Sequence, residues 1–545
     1  MRIPLNWLSD YLDLNKSEQH IANSFTSLGL MQEKAIKNHI LELEHRMDRA
    51  DWLSIIGCAR DLAAFEKIKL KLPKIKQHKL NQLPDDEKIK IKVDTPTVRR
   101  YNTRIFKNIA IQPSPNWLVE RLEAYGIDSI NNIVDITNFV MVEYGQPMHA
   151  QDLTTLPKQE LHLRTTGVGE TITTFLGTKI ELPKNTFVIS SGDTMCVIGG
   201  IVGGNTTGVT NTTTKIILDA GNYDQRVIRS TSRKIKIQNE TVSRYDKYLD
   251  PRLTEVAINR ATDLILQLAG GEVYDNYDYY PSPITPTTQL LTLKRLHLIS
   301  GLDITLTTAK SILTALGYVI LEESNQKLIL EIPIWRTDIM VEDDLIADIL
   351  RINDYSNLPA IALTTPIPTN ITPNIYRFED TLRNYMTSLT AHEHITSPLI
   401  QTDSNSTRVN LSNALSSTQN ALRSTLTETL TPILTTYAKH KIKSPILFEI
   451  AKSFVLKNSQ PTEIRELTAI STTDVRHILT SLMSLLGITY TLTPTDKNQS
   501  SIITNKQIIG SLTPTTFTLN TTLLLKHHQP YSCVITTHSH STSNP

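Results

Sequence analysis

The sequence predicts a multidomain α+β protein on three grounds: its length, its alternation of helical with β-branched runs, and two proline- and threonine-rich interruptions. At 545 residues the chain exceeds what one hydrophobic core holds, and about three to four domains follow from ordinary domain size. "PSPITPTTQ" (281–289) and "TTPIPTNITPN" (364–374) suit neither a helix nor a central strand, because proline withholds a donor and restricts the residue before it. They set off residues 1–280, 290–360 and 376–545. The first block mixes helical stretches with short β-branched runs, the pattern of an α+β fold.

Taken in order, "MRIPLNWLSDYLDL" reads as an amphipathic helix turning Leu5, Leu8, Tyr11 and Leu12 inward, and it lacks the apolar core of a signal peptide. "KIKLKLPKIKQHKL" (67–80) and "KIKIKV" (88–93) alternate at period two. They predict half-buried or edge strands guarded by lysine, with a phosphate-contacting face as the alternative. The glycines of "VIGGIVGGN" (197–205) permit a tight turn and close backbone approach. The small block predicts a helix over 307–316, a stop at Gly317 and a strand over 327–333. The last block predicts a helix in "YRFEDTLRNYMTSL" and a strand in "SPILFEIAKSFVL". Its threonine and asparagine favour strands and turns.

Composition excludes several classes. A formal net charge of +1, from 55 basic and 54 acidic residues, leaves no dominant basic stripe, so nucleic-acid contact must be local or aided by a partner. Cys58, Cys196 and Cys533 form no CxxC pair, which argues against a disulfide framework or cysteine zinc site and fits a reducing, cytoplasmic compartment. No apolar run of about 18 residues offers a membrane span. The GxxxxGK[ST], HExxH, GxSxG and GxGxxG signatures are missing.

One stretch demands a chemical explanation. "RTDIMVEDDLIADIL" places Asp338, Glu342, Asp343, Asp344 and Asp348 within eleven positions. Asp344 and Asp348 share a helical face. Asp338, at the end of a strand and loop, can meet them, and such a cluster favours a hard cation with oxygen ligands such as Mg²⁺. An acidic first helical turn complementing the helix dipole is the competing account, and it suits Glu342 and Asp343.

Four longer stretches then point to a family. "WLVERLEAYGIDSINNIVDITNFVMVEYGQPMHAQDL" (117–153), "VIGGIVGGNTTGVTNTTTKIILDAGNYD" (197–224), "IPIWRTDIMVEDDLIADILRINDYSNLP" (332–359) and "VNLSNALSSTQNALRSTLTETLTPIL" (409–434) resemble, in order, motifs of the β subunit of bacterial-type phenylalanine–tRNA ligase. "MRIPLNWLSDYLDL", "LELEHRMDRADWLSIIGCARDLAA" (41–64) and "LFEIAKSF" (447–454) extend the resemblance over most of residues 1–455. It implies an N-terminal module (1–95), a B3/B4 editing-type domain (96–285), a winged-helix-like B5 domain (286–360) and a class II synthetase-like antiparallel-sheet domain (376–545). The chain departs from the family where "SLGLMQEKAIKNH" passes straight into "ILELEH", with no room for the usual OB-fold tRNA-binding module. The C-terminal ferredoxin-like anticodon-binding module is also expected to be missing, so the chain resembles a reduced β subunit.

The resemblance implies an α2β2 assembly in which the α chain holds ATP and charges tRNA(Phe), while this chain acts as scaffold and possible editor of mischarged tyrosine. It places His149, Gly203, Asp219, Asn239 and Thr241 in the editing pocket. A glutamate is usual where Asp219 stands, a threonine at Asn239 and an alanine at Thr241, so weakened or lost editing is expected; a satisfied histidine in a turn is the alternative for His149. Asp338, Asp344 and Asp348 match the family's Mg²⁺ ligands, and Ala347 stands where a fourth carboxylate is usual. The alternatives to an enzyme subunit are a non-catalytic assembly subunit, a free-standing tRNA-binding or trans-editing protein, or a metal-dependent hydrolase.

Overall fold

The computed structural model describes residues 1–528 apart from His45, Leu176, Leu363, Ile367, Thr369, Asn370 and 404–407. Cys533 and part of the proline–threonine stretch at 364–374 therefore lie outside the described residues. The chain divides into two compact units, Met1–Ile361 and Ala362–Pro545. Among the described residues no helix is long and apolar enough to cross a membrane.

In the first unit the N-terminus departs from the expected helix. Arg2–Pro4 pairs as a strand with Ile40–Glu42, and only Leu5–Leu8 is helical. Leu5, Leu8, Tyr11 and Leu12 are nevertheless buried as expected. Pro4 precedes the helix, where its missing N–H costs nothing. Gln32 faces Leu43 and Lys37 faces Ile40, so residues 33–39 form a closed turn with no inserted module.

A four-stranded antiparallel sheet forms the centre, in the order Glu272–Tyr279, Val98–Lys107, Lys215–Tyr223, His149–Asp152. The helices Asn132–Tyr144 and Leu253–Leu268 pack on one another and on it. A second sheet of five strands runs Val202–Gly203, Thr194–Ile198, Phe187–Ser191, Glu160–Thr165, Lys90–Val93. Lys90–Val93 lies at its edge with alternating exposure, as the lysine pattern predicts. Residues 67–80 differ: they cross the surface without pairing as a strand, anchored by Lys71 N–H to the Tyr11 carbonyl (2.8 Å) and by His78 to Asp263 (2.8 Å). Period two reports an extended backbone, and here no strand edge is available to it.

Residues 288–353 hold a three-stranded sheet, Thr288–Thr292, Lys327–Glu331, Val319–Glu323, with helices Leu293–Ser300, Leu306–Ala315 and Glu342–Asn353. Gly317, at φ +94°, follows the end of Leu306–Ala315, a conformation L side chains avoid.

The second unit is built on a seven-stranded sheet whose long central hairpin is Ile446–Lys457 with Gln460–Ser471. Its strands are antiparallel except for the short edge strand His392–Glu393. Helices Asn374–Ser388, Arg476–Leu485 and Thr521–His527 supply Phe378, Leu382, Leu479, Leu482 and Leu524 to its core.

A buried chain of alternating charges ties residues 49–61 to residues 336–351. Arg49 holds Asp51 by two bonds (2.8 and 2.7 Å) and reaches Asp61 (2.9 Å). Arg351 bridges Asp61 (2.8 Å) to Asp348 (2.9 Å). Arg336 joins Asp348 to Asp338, holding the latter at 2.9 and 2.8 Å. The Trp52 indole donates to Asp61 (2.7 Å), and the Arg49 guanidinium stacks on its ring at 4.0 Å. Each charge is desolvated, so loss of one member strands its partners. Asp61→Ala should destabilise the first unit by about 3–5 kcal/mol in urea unfolding, and a loss below about 1 kcal/mol would deny the chain that role.

Candidate functional site

The strand register creates the central pocket. His149 and Asp219 are direct cross-strand partners in the pairing of His149–Asp152 with Lys215–Tyr223, which brings their side chains to the same face. The hairpin Thr194–Ile198/Val202–Gly203 closes over them, turning through Gly199 and Gly200. Gly200 has φ +69°, and a Cβ on Gly203 would sit 2.8 Å from the His149 Nε2. The close backbone approach expected of this glycine run is thus made to an imidazole.

His149, Gly203, Asp219 and Thr241 all line one cavity of about 80 Å³. Asn239 does not line it. Its side chain caps the helix Glu240–Tyr245 by accepting from Val242 N–H (2.9 Å) and donates to the Ile201 carbonyl (2.9 Å). It fixes the hairpin turn rather than the pocket floor. Tyr223 and Tyr245, which the sequence reading did not single out, complete the wall; Tyr223 falls within the marked stretch 197–224, and Tyr245 follows Thr241 on the helix Glu240–Tyr245. The Tyr245 hydroxyl donates to the Gly221 carbonyl (2.8 Å), pinning its ring.

The polar pair is unsatisfied. His149 Nδ1 and Asp219 Oδ2 stand 4.0 Å apart, too far for a hydrogen bond, and neither has a partner. His149 is therefore not a satisfied turn histidine; it opens a strand with an unpaired ring nitrogen. Burial pushes Asp219 up to about 7, opposed by Tyr101 and Gln151, and burial lowers His149 to about 4. Near neutral pH the pocket holds an uncharged imidazole beside a carboxyl that is partly protonated.

The acidic stretch converges elsewhere. Asp338, Asp344, Ala347 and Asp348 line a second cavity, of about 390 Å³, but so do Arg46, Arg49, Arg336 and Arg351. Both oxygens of Asp338 bind Arg336. Those of Asp348 bind Arg336, Arg351 and the Tyr318 hydroxyl. Asp344 accepts from the Met340 and Val341 N–H groups (2.7 and 2.9 Å), the work of a helix-start residue. These residues do not fit a Mg²⁺ ion: the guanidinium groups already supply the positive charge, and among the described residues no group of three acids, histidines or cysteines could hold a metal. The sequence showed the carboxylates, and the same stretch carried Arg336 and Arg351. Glu342 and Asp343 occupy the first turn as expected; they also bind Thr292 (2.7 Å to its hydroxyl) and Arg295 (2.8 and 2.7 Å).

Three domain families match: the B3/4 domain over residues 97–270, the tRNA synthetase B5 domain over 290–355, and the phenylalanyl tRNA synthetase beta chain CLM domain over 358–502. Fold and domains together define a multidomain α+β protein of the aminoacyl-tRNA synthetase class. Similar proteins include the phenylalanine–tRNA ligase beta subunit of Carboxydothermus hydrogenoformans, 32% identical over 77% of this chain and 54% of that one. That of Clostridium acetobutylicum is 30% identical over 83% and 60%, and that of Dehalococcoides mccartyi 27% identical over 92% and 68%. The chain belongs to the family of phenylalanine–tRNA ligase beta subunits, and it spans little more than half the length of the first two relatives.

Two measurements check this electrostatic account. Asp219 holds its proton more tightly folded than unfolded, so its stabilisation is present at low pH and lost as pH rises from about 4 to 7; His149 binds its proton less tightly folded, so stability is gained from about 4 to 6.5. The two slopes oppose. His149→Gln should expose a fall of roughly 2–4 kcal/mol between pH 4 and 7, and Asp219→Asn a rise, with Tyr101, Tyr223, Tyr245 and Cys196 too high to titrate there. Parallel profiles in all three proteins would refute this. For the acidic cavity, EDTA or added Mg²⁺ should leave the melting midpoint within about 1 °C, while Asp348→Ala lowers it by several degrees.

Proposed function

We propose that this chain serves as the β subunit of a heteromeric phenylalanine–tRNA ligase whose editing of mischarged tyrosine is weakened. The assembly, α2β2 with a catalytic α chain, converts ATP, phenylalanine and tRNA(Phe) to phenylalanyl-tRNA(Phe), AMP and diphosphate. ATP is held by the α chain, and this chain supplies scaffold and pocket.

The size of the His149–Asp219 cavity carries the proposal. At about 80 Å³ it falls well short of the roughly 300 Å³ at which ligand pockets begin, and Thr241 stands on its wall. A tyrosine phenol needs buried polar partners that phenylalanine cannot satisfy. Asp219 and His149 remain as such a pair, but their 4.0 Å gap is one that the longer carboxylate usual in the family would shorten.

In the assembly purified with its α chain, deacylation of tyrosyl-tRNA(Phe) should be slow. Asp219→Glu combined with Thr241→Ala should raise it by about 10–100-fold, and His149→Ala on that background should remove the gain. Brisk deacylation by the unaltered assembly, abolished by His149→Ala, would overturn the weakened-editing reading. Failure to copurify with an α chain would overturn the subunit reading itself.

A further inference from the structure

An apolar pocket of the first unit lies apart from the His149 cavity and meets the ion chain only at Asp51. Its volume is about 250 Å³, and Leu72, Ile75, Leu253, Val256, Ile334 and Trp335 are among its walls. Arg60 enters it from the helix Ile55–Glu66 and is only 7% exposed. Its guanidinium lies 3.7 Å above the Trp335 ring. Unlike Arg49, Arg336 and Arg351, Arg60 has no ion pair and no hydrogen bond among the described residues. The carboxylates around it are engaged elsewhere. Asp51 is held by both arms of Arg49, Asp61 by Arg49, Arg351 and Trp52, and Asp250, on the pocket wall, by Arg252. The Tyr144 hydroxyl, a second donor lining this pocket, likewise has no partner among the described residues.

A buried guanidinium offers five donors in a fork that matches a carboxylate. No side chain among the described residues meets them, and they open onto the pocket space, where a carboxylate can replace water. We propose that this pocket binds a small apolar carboxylate, its anionic head on Arg60 and Tyr144 and its aromatic or branched aliphatic body against Trp335, Leu253 and Val256. Because both carboxylates of the wall are already paired, nothing there receives an ammonium, and the ligand class excludes free amino acids.

The test uses the full chain and 3-phenylpropanoate as probe, with calorimetric titration and thermal unfolding as readouts. The carboxylate should bind in the millimolar range or tighter and raise the melting midpoint. 3-Phenylpropanamide, phenylalanine and inorganic phosphate should each bind at least about tenfold more weakly. Arg60→Gln should erase the preference for carboxylate over amide. Val256→Trp, which fills the cavity from a half-buried wall position and leaves Arg60 in place, should abolish binding. Equal affinity for acid and amide, phosphate binding as strong as the probe's, or no heat with folded protein up to about 10 mM would overturn the proposal.

Discussion

The first unit depends on one constraint: seven charges in a line, all buried except the half-buried Asp338 at one end, must keep their neighbours. The series Asp51, Arg49, Asp61, Arg351, Asp348, Arg336, Asp338 alternates in sign throughout. Desolvation of so many ions is unfavourable, and their mutual attraction offsets it only while the geometry holds. The chain therefore contributes specificity of arrangement: it sets where the helix Glu342–Asn353 sits against the helix Ile55–Glu66, whose two elements are in contact. Trp52 lies under both Arg49 and Arg351, at 4.0 and 5.4 Å, so apolar packing and charge pairing share the same junction.

That junction also accounts for the two different uses of arginine nearby. Where acids are available, guanidinium groups are consumed in pairs. Arg60, midway along its helix, finds every neighbouring acid engaged and is left over its indole. The His149 pocket follows the opposite design. It contains no arginine and no lysine, and burial there favours the uncharged forms of His149 and Asp219.

Much of this fold was legible in the sequence, and the exceptions have physical causes. The helix starting near Leu306, the stop at Gly317 and the long strand from Ile446 follow from periodicity and backbone freedom, which are local. The N-terminal helix failed because Arg2–Pro4 is claimed by a strand partner some 38 residues away. Residues 67–80 failed because alternation reveals an extended backbone without revealing whether an edge awaits it. At the site, His149, Gly203, Asp219 and Thr241 came together, since register places the first and third opposite one another. Asn239 did not, because an asparagine before a helix is drawn to its free N–H groups. The acidic stretch was misleading for a simpler reason: like charges suggest a cation, and whether that cation is a metal or an arginine is decided by rotamers.

The ion chain also bears on how the protein emerges from the ribosome. Arg49, Asp51 and Asp61 are made early, but Arg336 follows Asp61 by 275 residues (336 − 61). At about 5–20 residues per second this interval lasts roughly 14–55 s. Through it Asp61 has Arg49 and Trp52 for company but lacks Arg351. Residues 1–95 thus leave the exit tunnel as a module whose final closure waits on a segment not yet translated, a contact order that slows folding and lengthens exposure.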